Sequence, residues 1–176
     1  MGDMGAVADG DRVLFLDVDG VLNGHERHAN GFCGIDCRKV ELLNELVAAV
    51  GCRIVLVSAW RYMILNGAMT LEGFRHLLAI NGASQQVRDA LIGHLPPDGS
   101  VNDLHDRGKL ARAWLVAAGV RLNAVALDDG GDYGLDLGYR VMGVPLVQPV
   151  SHIGLDRIRF EQVVRLFDQM EPKLWG

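Results

Sequence analysis

Asp17 and Asp19 stand two residues apart, immediately after the apolar run Val13-Leu14-Phe15-Leu16. In an extended chain alternate side chains point the same way, so both carboxylates would address one site. Two carboxylates held that close repel each other, and a divalent cation is the usual means of keeping both ionised. Gly20, next in line, permits a tight turn directly after the pair. An ordinary strand end with two solvated acids would read the same in isolation. The case therefore rests on what the rest of the chain brings to the same place.

Two further apolar runs end in polar groups. Ile54-Val55-Leu56-Val57 stops at Ser58, followed by Ala59, Trp60 and Arg61; Ala124-Val125-Ala126-Leu127 stops at Asp128 and Asp129, with Asp132 close behind. Runs that are apolar at every position suit central strands of a parallel sheet covered on both faces. The polar residues then sit at the carboxyl ends of the strands, the edge where open α/β sheets bind ligands. Ser58 adds a hydroxyl at its strand end, and Arg61 can pair with a phosphate bidentately or serve only in a surface pair. Trp60 can pack or, with Tyr62, stack on a base. Arg107 and Lys109 flank Gly108 at the start of a helical stretch, and either could bring a cation to the acids.

The elements that must position these groups alternate. Asp36 caps a helix running to about Val50, with Leu43, Leu46, Val47 and Val50 on one stripe and Gly51 ending it. Thr70 caps a second, with Leu71, Phe74, Leu77 and Leu78 inward, closing near Gly82. A third runs from about Gly108 to Ala118 and a last from Leu155 to Met170. Val87 to Leu95 suits helix or strand, and a strand is preferred. The pattern predicts an α/β fold, a Rossmann-like doubly wound, mainly parallel sheet with right-handed crossovers. Residues 12–176 are expected to form one domain behind a flexible segment 1–11.

In Leu14-Phe15-Leu16-Asp17-Val18-Asp19-Gly20-Val21 the sequence resembles the first motif of the haloacid dehalogenase (HAD) superfamily. By that resemblance Asp17 is the nucleophile that forms an aspartyl-phosphate. Asp19 protonates the leaving group and then activates water, and an acid in its place favours phosphatases over dehalogenases. The resemblance extends to Ser58 as the second motif, to Arg107 in preference to Lys109 as the third-motif cation, and to Asp128 and Asp129 as the fourth. It implies magnesium (Mg2+) held by Asp17, the main-chain carbonyl of Asp19 and Asp129, with Asp128 next in order and Asp132 after it. It covers about residues 12 to 132, with all four motifs in order. About a dozen residues separate Asn23 from the Asp36 helix, too few for a folded cap, so an open, nearly capless site is expected. Such a site suits large substrates, or closure by a second subunit. More narrowly, Asp17 to Asn23, Ser58 to Arg61, Arg107-Gly108, Trp114-Leu115 and Gly154-Leu155 look similar to HAD domains associated with RNA repair. The implied substrate is a phosphorylated nucleic-acid end, with a nucleotide or sugar phosphate as the alternative. A catalytically idle phosphate- or nucleotide-binding module on the same fold is the competing reading.

Composition sets the limits. The chain has 176 residues, a hydrophobic share of 49% and a net charge of -5, a globular class whose bulk charge argues against broad nucleic-acid binding. No apolar run approaches the roughly 18 residues of a membrane span. The first residues lack the charged and apolar regions of a signal peptide, so a cytoplasmic setting with reduced Cys33, Cys37 and Cys52 is expected. His25, His28, Cys33 and Cys37 share a short loop in which zinc is a minor alternative to substrate contact. His105 and His152 are expected at the surface.

Overall fold

In this computed structural model, residues 6–23, 34–96, 107–130 and 138–176 are described. Five parallel strands lie in the order β3-β2-β1-β4-β5. They are β1 (Arg12–Leu16), β2 (Arg53–Leu56), β3 (Leu91–His94), β4 (Arg121–Leu127) and β5 (Leu146–Val147). A short β6 (Lys173–Leu174) runs antiparallel against the start of β4. The helices are α1 (Cys37–Val50), α2 (Arg61–Leu65), α3 (Leu71–Ile80), α4 (Gln85–Ala90), α5 (Arg107–Ala118) and α6 (Arg157–Gln169).

The uninterrupted apolar runs are explained by two cores, one on each face of the sheet. Leu14 and Leu16 of β1, Ile54 and Leu56 of β2, and Val125 and Leu127 of β4 pack with the inward faces of α1, α3, α4 and α6. Their alternates Val13, Phe15, Val55, Ala124 and Ala126 pack against α5, where the Phe15 and Trp114 rings meet edge to face at 5.8 Å. A strand covered on both faces cannot alternate apolar with polar, since every second residue would then bury a polar group.

From β1 the chain builds outward through β2 and β3, then returns to lay β4 on the other side of β1. A crevice forms where that direction reverses, beyond the strands' carboxyl ends. Register aligns it: Leu16 lies opposite Leu56 on one side and Leu127 on the other. The residues one step further, Asp17 and Asp128, therefore emerge side by side. The Asp17 N–H donates to the Leu127 carbonyl at 3.0 Å.

Helix boundaries follow local chemistry. Asp36, Thr70 and Asp156 accept backbone N–H bonds at the starts of α1, α3 and α6, and Gly51 ends α1. In α3 only Phe74 and Leu78 are fully buried; Leu71 and Leu77 lie at the margin of the core. The strand preferred for Val87 to Leu95 is corrected in its first half. Ser84 caps α4 by accepting from the Val87 N–H at 3.3 Å, and the buried Val87 and Ala90 share a helical three-residue spacing. The extended segment begins only at Leu91. A β-branched valine suggested strand, but the cap and its inward face decided for helix. Of the segment expected to be flexible, residues 1–5 lie outside the described residues. Asp9 pairs with Arg121 and the Gly10 N–H donates to the Arg121 carbonyl at 2.8 Å. Among the described residues no helix is long and apolar enough to cross a membrane.

Candidate active site

The four segments that sequence reasoning singled out meet at the crevice. One carboxylate oxygen from each of Asp17, Asp128 and Asp129 lies within 4.8 Å of the other two, and all three residues are buried. Arg107, the first residue of α5, donates from Nη1 to Asp17 Oδ2 at 2.9 Å and to Asp128 Oδ2 at 2.7 Å. Lys109 is exposed two residues on, so Arg107 is the cation that reaches the acids. Arg107 opens α5, so its guanidinium and the positive end of the helix dipole both favour negative charge nearby.

Asp128 is bonded by more than Arg107. Its Oδ2 also accepts the Tyr139 hydroxyl at 3.0 Å, and its Oδ1 accepts the Gly130 N–H at 3.0 Å. Asp129 instead presses against the turn after β1. A Cβ built on Gly20 would overlap the Asp129 carboxylate, and Gly20 has φ 69°. Gly20 is thus required twice, for its left-handed backbone and for the space it leaves. That niche, the all-oxygen donor set and the charge count together fit a hard divalent cation. Three carboxylates face one guanidinium here, an excess of buried acid that a divalent cation, or without one a proton on Asp17, would offset.

The electrostatics agree. Burial first, and the neighbouring Asp128 carboxylate second, raise Asp17 from 3.8 to about 7 against the opposing pull of Arg107 and the Val18 N–H. Burial opposes the charge on Arg107, but Asp17 and Asp128 outweigh it and hold the guanidinium protonated. Burial, with Asp128 next, pushes the Tyr139 phenol well above its ordinary value, so it stays a donor.

Asp19, two residues on from Asp17, has partners of its own. Its carboxylate accepts from the Trp60 indole Nε1–H at 3.1 Å to each oxygen and from Asn23 Nδ2 at 2.8 Å. The turn that carries it is closed by the Leu22 N–H to the Val18 carbonyl at 2.8 Å. Ser58, fully buried at the end of β2, accepts the Trp60 backbone N–H at Oγ, 3.3 Å away.

Three expectations for the Ser58 loop resolve differently. Ala59, expected to touch substrate, is exposed. Trp60 is buried with its ring 6.0 Å from Phe74 and its N–H on Asp19, a position that packs rather than stacks on a base. Arg61 is fully buried, donating from Nη1 to the carbonyls of Val57 and Ser58 at 2.7 and 3.1 Å and from Nη2 to the Tyr62 hydroxyl at 3.3 Å. It fastens the loop, and a bidentate phosphate clamp would have to break those bonds. His152 is exposed, while Asp132, His25, His28, Cys33 and His105 lie outside the described residues. Cys37 is exposed, and burial pushes the Cys52 thiol up to about 12.

Sequence reasoning assigned no role to Asn23 or Tyr139. Asn23 lies within the first motif, and its spacing from Asp19 was a usable signal. Tyr139 carried none. It reaches Asp128 because its segment packs against α5 at Gly108, where a Cβ would overlap the Gly138 backbone.

Comparison with known proteins gives one family, and no curated protein sequence matches the chain. The model of the HAD domain in Swiss Army Knife RNA repair proteins matches residues 13–159, which span β1 to the start of α6 and every group described above. Motif order, topology and this match agree, and the chain belongs to that family of HAD domains, within a superfamily of phosphatase-like hydrolases.

Proposed function

We propose that the protein is a magnesium-dependent phosphomonoesterase that works through an aspartyl-phosphate on Asp17. The observation that carries this is the buried Asp17 carboxylate, bonded to Arg107 and sharing one pocket with Asp128 and Asp129. Asp17 and Asp129, with the main-chain carbonyl of Asp19 as a further oxygen, would hold magnesium, whose positive charge would lessen the repulsion between the phosphoryl group and the nucleophile.

Arg107 keeps Asp17 in register and offsets the charge that builds on the phosphoryl oxygens. The Ser58 hydroxyl, whose oxygen already accepts the Trp60 N–H, has its own proton to give to a phosphoryl oxygen. An Asp17 oxygen attacks phosphorus as the bond to the leaving oxygen breaks, and Asp19 gives that oxygen its proton. Asp19, now a carboxylate, takes a proton from the water that attacks the phosphoaspartate, releasing inorganic phosphate and restoring both acids. Phosphorylated nucleic-acid ends are the proposed substrates. The family's RNA-repair setting supports that reading.

The test is phosphate release from para-nitrophenyl phosphate and from a panel of nucleotides, phosphorylated oligonucleotides and sugar phosphates, with magnesium or with chelator. Turnover is expected only with metal and highest on oligonucleotide ends. Asp17→Asn should lower it by about a thousandfold or more, as losing a nucleophile does. Normal turnover by that variant would remove Asp17 from the chemistry.

A further inference from the structure

Asp19 must hand a proton to the leaving oxygen from a fixed direction, and in a fold without a large cap its own neighbours are placed to set that direction. We infer that Trp60 and Asn23 are positioning residues that clamp Asp19 so that its Oδ2 presents the proton. The inference rests on the phosphatase reading above and deepens it.

The clamp is made of donors alone. Asn23 offers its NH2 rather than its carbonyl to Asp19, because Asn23 Oδ1 is taken by the Gly20 N–H at 2.9 Å, and a backbone N–H can only donate. The Trp60 indole N–H has no acceptor capacity either. Both oxygens of Asp19 share the indole N–H at 3.1 Å, and Oδ1 alone receives a second donor, Asn23 at 2.8 Å. In the acid form neither clamping group can accept the proton. Oδ2, with one donor fewer, is the oxygen that the geometry leaves open to carry it. When the bond to phosphorus breaks, its electron pair goes to the leaving oxygen, which takes this proton. The carboxylate left behind accepts from both donors at full charge, so the clamp tightens as the transfer proceeds.

The clamp is anchored rather than loose. Asn23 and Trp60 are both buried, and the Trp60 ring meets Phe74 at 66°. The backbone N–H of the same Trp60 holds Ser58 Oγ. One residue thereby sets the distance between the hydroxyl proposed to meet the phosphoryl group and the acid proposed to meet the leaving group.

A positioning role predicts a dependence on the leaving group that a packing role does not. Trp60→Phe removes the N–H, and benzothienylalanine at position 60 removes it while keeping the two-ring shape. Phenyl and alkyl phosphates, whose oxygens leave poorly, need the acid; para-nitrophenyl phosphate hardly does. In both variants kcat on phenyl and alkyl phosphates should fall about 10- to 100-fold, part of the range general acids supply, with the fall on para-nitrophenyl phosphate under about threefold and KM held. Equal losses on all substrates, or no loss with benzothienylalanine, would overturn the clamp. Asp17→Asn, by contrast, should fail on every substrate alike. A wild-type enzyme inactive on the whole series would bring down the phosphatase reading and the clamp with it.

Discussion

Replacing Gly20 by alanine tests whether Asp129 belongs to a metal site, because two different costs can be separated. The first is backbone strain: Gly20 has φ 69°, and a side chain there costs about 1–2 kcal/mol. Gly51 supplies the control, since it has φ 64° at the end of α1 and a Cβ there would meet nothing within 4 Å. Gly51→Ala should therefore lose about 2–8 °C in melting temperature without metal, taking about 2–4 °C per kcal/mol at this length, and Gly20→Ala at least as much. The second cost belongs to Gly20 alone. Its new Cβ would overlap Oδ2 and Cγ of Asp129 and stand 3.0 Å from the Asp129 Cβ, so the carboxylate must turn away. Displacing a carboxylate in this way should weaken magnesium binding about 10- to 100-fold, or about 1.4–2.7 kcal/mol. Calorimetric titration with magnesium reads the affinity directly, and melting with and without metal gives the linked stabilisation. If Gly20→Ala bound magnesium as Gly51→Ala does, Asp129 could not be holding the ion in that niche.

Two predictions concern the charges around Asp17. Arg107→Met leaves two buried carboxylates without their shared guanidinium and should destabilise the metal-free protein by about 3–5 kcal/mol in urea unfolding, partly recovered with magnesium; Lys109→Ala, at an exposed position, should stay within about 0.5 kcal/mol. Asp17, raised from 3.8 to about 7, binds its proton more tightly folded than unfolded. Between those values the native state holds more protons, so metal-free stability should fall as pH rises from about 4 to about 7. Melting curves in chelator across that window should show a slope that Asp17→Asn lacks, and an identical slope in both proteins would assign the effect elsewhere.

Much of the catalytic edge was legible in the chain. A run such as Val13 to Leu16, apolar throughout and halted by Asp17, announces a strand covered on both sides that ends at a ligand edge. Three such runs with acids or a hydroxyl at their ends left little freedom about where the chemistry would be. Short elements were harder. α2 and α4 hold five and six residues, too few for a periodic face to show, and the two-residue β5 and β6 have no pattern of their own. Their existence depends on partners already in place.

Local order of residue types thus determined the strand ends, the helix caps and the choice of residues that meet the crevice, because backbone geometry and burial act over a few neighbours. What only the tertiary structure decided was which oxygen and which donor each of them uses. Arg107 rather than Lys109 reaches Asp17 because α5 begins at that residue against β1. Asp128 is bonded by Tyr139 because Gly108 lets a distant segment come close. Arg61 turns inward to its own loop, and Trp60 turns its N–H to Asp19. Such pairings join residues far apart in the chain, and they depend on distances of a few ångströms that only packing sets.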